Sequence, residues 1–275
     1  MRIVLINIVL ITVGILMAGS IFAAIDPETV ADGHVWLFDE GVGNTVEDSS
    51  KNNLNGTVKG NPGVVKGIIG DALEFDGASD YITLPDSANI NTGGPWTNRT
   101  IKVIFNCADV SINSNKQTLF EEGGRTRGLV VYVFDGEVYV GGWNRSEYNW
   151  NGAWLSAPIK SDNWYEVALI LRDTQGKVED DKLEMWLDGK LIGKEAGGQM
   201  HAHADDNGIG AVNQNTVFHD EGGSGTMTDY FGGMIDEIWV LNQALTAAEL
   251  GPPLISVEPV DRLTATWGSI KAEGE

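Results

Sequence analysis

From Gly141 to Trp154 the chain reads Gly-Gly-Trp-Asn-Arg-Ser-Glu-Tyr-Asn-Trp-Asn-Gly-Ala-Trp. Aromatic rings stand there among amides, a guanidinium, a carboxylate and a hydroxyl. An aromatic face can take the C–H side of a sugar ring while neighbouring polar groups bond the sugar hydroxyls. Tyr148 and Trp150 are the candidate ligand contacts. Two residues apart, they share one side of an extended backbone, with Arg145, Glu147 and Asn149 on the other. The bland alternative for Trp143 and Trp154 is that they end strands and pack in a core.

Other residues could do chemistry but lack the spacing for it. Glycoside hydrolysis needs two carboxylates held across one bond. Glu121-Glu122 and Asp180-Asp181 are adjacent pairs, which point opposite ways in a strand or sit in turns. His201, His203 and His219 have the types of an open zinc site. Their setting, Ala204-Asp205-Asp206-Asn207-Gly208, reads as a mobile loop with exposed, unliganded histidines. With 39 Asp and Glu against 18 Lys and Arg, the net charge is −21, and phosphate backbones would repel it. Nucleic acid is therefore excluded as a partner. Cys107 is the one cysteine, so no intrachain disulfide forms. It ends the strand-like run Arg99–Cys107 and reads as a buried, inert thiol.

The elements that must position these groups are strands and turns. Leu129–Phe134 meets Glu137–Val140 across Asp135-Gly136, and Leu183–Leu187 meets Lys190–Gly193 across Asp188-Gly189. Asp-Gly supports a type I′ turn, whose twist matches the strands it joins. In Trp164–Arg172 the residues Tyr165, Val167, Leu169 and Leu171 share one face, the core side. His34–Asp39 is apolar on both faces, as a strand between two layers would be. Near the end, Gly232-Gly233 opens an acidic, aromatic strand, and the glycines signal close backbone approach. Thr246 and Glu249 then form a capping box. No interior segment keeps a helical period. The pattern predicts an all-β, antiparallel jelly-roll sandwich.

Residues 1–24 read as a signal peptide: Arg2, an apolar run from Ile3 to Ala18, then small residues up to Ala23. The mature chain has no other candidate membrane span. The domain covers 25–250. Gly251-Pro252-Pro253 breaks the composition, and 251–275 is a linker with a short amphipathic tail carrying Leu263, Trp267 and Ile270 on one face.

Several pieces resemble, in order, the laminin-G-like modules of the concanavalin A-like lectin/glucanase jelly rolls. They are Trp36–Asn44 with Asp48-Ser49-Ser50 and Asn55-Gly56-Thr57; Gly70–Gly77 with Asp80-Tyr81-Ile82; Trp164–Ala168; Leu187–Lys190; and Gly233–Glu237. The resemblance implies a secreted or cell-surface recognition module that binds carbohydrate or an extracellular protein. It also implies a structural calcium near the first and last strands, held by Asp39, Asp48, Asp236 and the Gly77 carbonyl. On their own, Asp39 and Asp48 also read as turn residues bonding their own backbone, and Asp236 as a cap on a neighbouring N–H. Hydrolases of this fold carry Glu-x-Asp-x-Glu on one strand. Here Glu74-Phe75-Asp76 is followed by Gly77-Ala78-Ser79, without the third carboxylate. The expectation is thus a noncatalytic module. The alternatives are a glycoside hydrolase on the same fold and a structural surface component.

Overall fold

The computed structural model describes residues 25–251 apart from 42, 221 and 222. The signal peptide of residues 1–24 and the tail residues Leu263, Trp267 and Ile270 lie outside the described residues. In chain order the strands are β1 (Gly33–Trp36), β2 (Thr45–Val46), β3 (Gly56–Lys59), β4 (Gly63–Lys66), β5 (Asp71–Asp76), β6 (Tyr81–Leu84), β7 (Arg99–Cys107), β8 (Gln117–Gly123) and β9 (Arg127–Phe134). They continue with β10 (Glu137–Asn144), β11 (Trp150–Pro158), β12 (Trp164–Leu171), β13 (Glu179–Leu187), β14 (Lys190–Gly197), β15 (Asn207–Ile209), β16 (Thr216–Val217), β17 (Gly223–Ser224) and β18 (Gly232–Leu241). One helical turn, α1 (Ala247–Leu250), follows.

Two antiparallel sheets face each other. The first runs β14-β13-β12-β7-β18-β5-β4, with β1 also pairing along β18. The second runs β11-β10-β9-β8-β15-β6-β3-β2. The expected antiparallel sandwich is present. The Asp-Gly turns have positive φ at both central residues: 46° and 84° at Asp135-Gly136, 48° and 70° at Asp188-Gly189. That is the type I′ signature. Gly233 has φ 142°, and a Cβ there would overlap the Asn106 carbonyl on β7. The closing strand therefore needs glycine to approach its neighbour.

The main core fills the space between the sheets. Val167, Leu169 and Leu171 point into it, with Tyr165 packed at its margin, as their alternation predicts. Cys107 is buried there. Burial pushes its thiol up to about 11, so it stays protonated and inert. Arg99 and Glu122 enter the same interior from opposite sheets, 3.4 Å apart and both enclosed.

Each sheet also carries apolar residues on its outer face. On the first, Val35, Ala168, Ile170 and Trp239 are covered by Val30 and by Leu245 and Leu250 around α1. Thr246 caps that turn reciprocally with Glu249. On the second, Val130, Tyr132 and Trp143 are covered by Val212, Val217 and Phe218. That cover stops short of β11, and the outer face there stays open to solvent in part. No helix among the described residues is long and apolar enough to cross a membrane.

Candidate functional site

The aromatic stretch is a hairpin, β10 and β11, rather than a loop leaving a strand. Its Gly141-Gly142 doublet leaves both faces of the sheet flat. On the outer face the Trp154 indole lies over Gly141, its register partner, and over Gly152 on its own strand. A Cβ at Gly141 would overlap Trp154 Cδ1 and Nε1, and one at Gly152 would overlap its benzene ring. The ring is thus spread along the sheet, one face on the glycines. It is half-buried, so its open side is the face turned away from the protein. Trp143 does the same one strand inward, lying on its own partner Gly128. It is fully buried and donates its indole N–H to the Gly124 carbonyl at 2.8 Å.

Beside Trp154 stand Ser156, two residues along β11, and Tyr139, opposite Ser156 on β10. Both hydroxyls donate to Glu137 Oε2, at 2.9 Å from Tyr139 and 3.2 Å from Ser156. The Tyr139 ring lies nearly parallel to Tyr132 (centroids 5.0 Å apart) and to His219 (4.4 Å), which are 6.1 Å from each other, so the three rings cluster. Burial, then the Glu137 carboxylate, raises the Tyr139 phenol to about 12. Trp154 and Tyr139 pack on the same outer-face cluster, with His219 stacked on Tyr139 and the Glu137, Tyr139 and Ser156 oxygens beside them.

Tyr148 and Trp150 both pack against Gly198, so they do lie together. Their exposure differs. Tyr148 sits in the β10–β11 turn, half-buried, with its hydroxyl bonded to His201 Nε2 at 2.6 Å and Gln199 Oε1 at 3.1 Å. Trp150 is 3% exposed and belongs to the inter-sheet core. Its ring offers no open face, so the expected ligand contact at Trp150 is not available at the surface. Trp154, for which core packing was the alternative, lies half-buried on the outer face instead. The signal that finds it is the glycine across the hairpin together with the glycine two residues before it.

The four expected calcium positions divide into two groups. Asp39 and Asp236 meet at the loop before β5. Asp236 Oδ2 accepts the N–H groups of Ile68 (2.6 Å) and Ile69 (2.9 Å), while Asp39 Oδ1 accepts that of Asp71 (2.8 Å). Asp236 Oδ1 is buried without a partner. Burial raises the Asp236 carboxyl to about 7 despite those N–H donors. Asp48 lies elsewhere, engaged by His34 Nδ1 (2.7 Å) and by the main-chain N–H groups of Val35, Ser50 and Leu54. Burial would raise its pKa, but these hydrogen bonds prevail and bring it to about 2. Gly77 follows the far end of β5, so it cannot join the pair at Asp71. An orphaned acceptor and a second carboxylate on one loop fit a cation. Asp48 and Gly77 do not belong to that group. No three acidic or histidine side chains converge among the described residues, so main-chain carbonyls and water would complete six to eight oxygens.

The remaining chemical candidates are scattered. His201 bonds Tyr148, His219 stacks on Tyr139, and His203 is buried rather than exposed. Burial, then Arg99 and Arg127, lowers His203 to about 4. Glu74, Asp76 and Asp80 line a groove of ≈ 370 Å³. Asp76, however, accepts three N–H groups and the Ser79 hydroxyl of its own turn. Desolvation opposes these bonds, yet together they hold its carboxyl well below the usual range. It is a turn residue, unsuited to donate a proton.

A family model described as concanavalin A-like lectin/glucanases superfamily matches residues 76–251. No curated protein sequence matches the chain. Domain 4 of AbnA, a GH43 extracellular arabinanase from Geobacillus stearothermophilus solved with arabinotriose, superposes with TM-score 0.56 at 16% identity, over 79% of this chain and 95% of that one. The receptor-binding domain of botulinum neurotoxin D gives 0.57 at 12% identity, over 80% and 51%. The binding domain of Paraclostridial Mosquitocidal Protein 1 gives 0.56 at 12%, over 80% and 50%. The chain thus spans about half of each toxin domain. Identities this low carry the fold alone. The family match, spanning well over half of the sequence, places this chain in the concanavalin A-like lectin/glucanases superfamily.

Proposed function

We propose that this chain is a noncatalytic carbohydrate-recognition module of an exported protein. The observation that carries the reading is the Trp154 indole spread over Gly141 and Gly152, with Ser156, Tyr139 and Glu137 beside it. A flat ring fixed on the sheet loses little freedom on binding, which favours recognition by preorganisation. Tyr148, with its hydroxyl tied to His201 and Gln199, is the second contact. The solved arabinotriose complex of the AbnA domain is in keeping with a saccharide ligand. The lack of a Glu-x-Asp-x-Glu strand favours binding over hydrolysis, and the apolar N-terminal run favours export. A calcium ion on Asp39 and Asp236 would tie the loop before β5 to the closing strand. It would supply positive charge to the buried Asp236 carboxylate and to the exposed Asp39 beside it.

Retention on insoluble polysaccharides tests the reading, with and without chelator. Trp154→Ala is expected to weaken retention about tenfold, taking sugar stacking as comparable to base stacking at roughly 1–3 kcal/mol. Tyr148→Ala is expected to weaken it less. If neither substitution changes retention, or no polysaccharide is retained, the reading fails.

A further inference from the structure

The rim beside Trp154 has an unequal supply of hydrogen-bond donors and acceptors. Tyr139 and Ser156 have one hydroxyl proton each, and both protons go to the same oxygen, Glu137 Oε2. A hydroxyl that has donated keeps only acceptor lone pairs, and an ionised carboxylate has nothing but acceptors. The indole N–H of Trp154 is covered by the sheet. Glu137, Tyr139 and Ser156 at this end of the platform therefore have only acceptor positions left to offer.

We infer that the Trp154 platform selects saccharides without acidic groups, which bring hydroxyl protons to this accepting rim. The inference rests on the carbohydrate reading above and specifies its ligand class. Local charge points the same way. Glu137 and Asp135 both act on Tyr139 as negative neighbours. The one cation on the hairpin, Arg145, is at the other end, its Nε and Nη2 each 3.4 Å from the Asn151 carbonyl. A carboxylated sugar at the Glu137 end would set acceptor against acceptor and charge against like charge. A neutral sugar hydroxyl there makes a charge-assisted hydrogen bond. The phenol's high pKa keeps its proton on Glu137 throughout the range where the protein would work.

The test is retention of the full chain on an insoluble neutral polysaccharide and on an insoluble polyuronate. Salt of about 1 M shortens the Debye length to about 3 Å, so the net charge of −21 cannot supply the discrimination. The neutral polymer is expected to bind at least about tenfold tighter, the worth of roughly one charge-assisted hydrogen bond. Glu137→Gln removes the charge and adds two amide donors. It is expected to narrow that ratio about tenfold, by the same arithmetic, with an unchanged thermal melt. Equal binding of the two polymers, or an unchanged ratio in Glu137→Gln, overturns the inference. Trp154→Ala separates the two levels. If it weakens retention about tenfold while the ratio is flat, the platform stands and the selectivity fails. If retention is unchanged in Trp154→Ala, the platform fails and takes the selectivity with it.

Discussion

Trp154 lies flat on Gly141, the residue opposite it on the neighbouring strand. Gly141 has room for nothing larger. Gly141→Val is therefore expected to lift the indole from the sheet and lose saccharide retention as Trp154→Ala does. The cost in stability should be at the low end of the roughly 1–3 kcal/mol of overpacking, because the ring can move outward. Tryptophan fluorescence, urea denaturation and retention together check this.

Arg99 and Glu122 are enclosed between the sheets. The guanidinium also donates to the carbonyls of Asn89 (2.6 Å) and Ile90 (2.7 Å). Arg99→Leu leaves a buried carboxylate unpaired and is expected to cost about 3–5 kcal/mol in urea denaturation. Adding Glu122→Leu is expected to restore part of that loss, which a double-mutant cycle would measure. If the double variant is no better than Arg99→Leu, the two side chains are not coupled.

Stability is expected to peak between about pH 4 and 5. Burial raises Glu122, Glu166 and Asp236 to about 7, against Arg99, Lys102 and main-chain N–H groups respectively. A carboxyl with a raised folded pKa holds its proton longer in the native state. Its contribution is complete below the unfolded pKa near 4 and is lost as pH rises through about 7. Asp48 and Glu184 behave oppositely. Despite burial, His34 and Arg172 with their other donors bring them to about 2, so their contribution is lost as pH falls toward 2. A melting temperature that rises steadily from pH 5 to 8 would contradict this balance. Glu166→Gln should flatten the alkaline decline.

Calcium should raise the melting temperature, and more so at pH 8 than at pH 6. The ion would bind the ionised form of Asp236, whose carboxyl burial holds up to about 7. At about 100 times its dissociation constant the gain is roughly 2.7 kcal/mol if only the native state binds. Asp236→Asn should remove the response, while Asp48→Asn should destabilise the protein and leave the response intact. Identical melts in millimolar calcium and in chelator would dispose of the ion.

The fold was legible because its signals are local. Asp135-Gly136 and Asp188-Gly189 state their turn type in two residues each, and the alternation of Val167, Leu169 and Leu171 names a core face without knowledge of what lies across it. Gly233 announced a close approach, although not that Asn106 would be its neighbour. The candidate cation pair was half legible. Asp39 and Asp236 come together because the loop before β5 runs between them. Asp48 looked equivalent by type and distance along the chain, yet its side chain turns to His34.

For the aromatic hairpin, residue type was determined by sequence and direction was not. Trp150 and Trp154 are four apart, and in a regular strand that spacing puts both on one face. Here Gly142 pairs with Ala153 while Asn144 pairs with Trp150, so β11 carries one extra residue, and Gly152 takes φ 130° within it. A single-residue bulge exchanges the faces of everything beyond it. Trp150 is thereby sent into the core and Trp154 onto the surface. The sequence alone determined an antiparallel sandwich, its hairpins and the presence of several large rings on one of them. Which ring meets solvent was decided by the register of two strands, a property of their pairing that neither strand carries by itself.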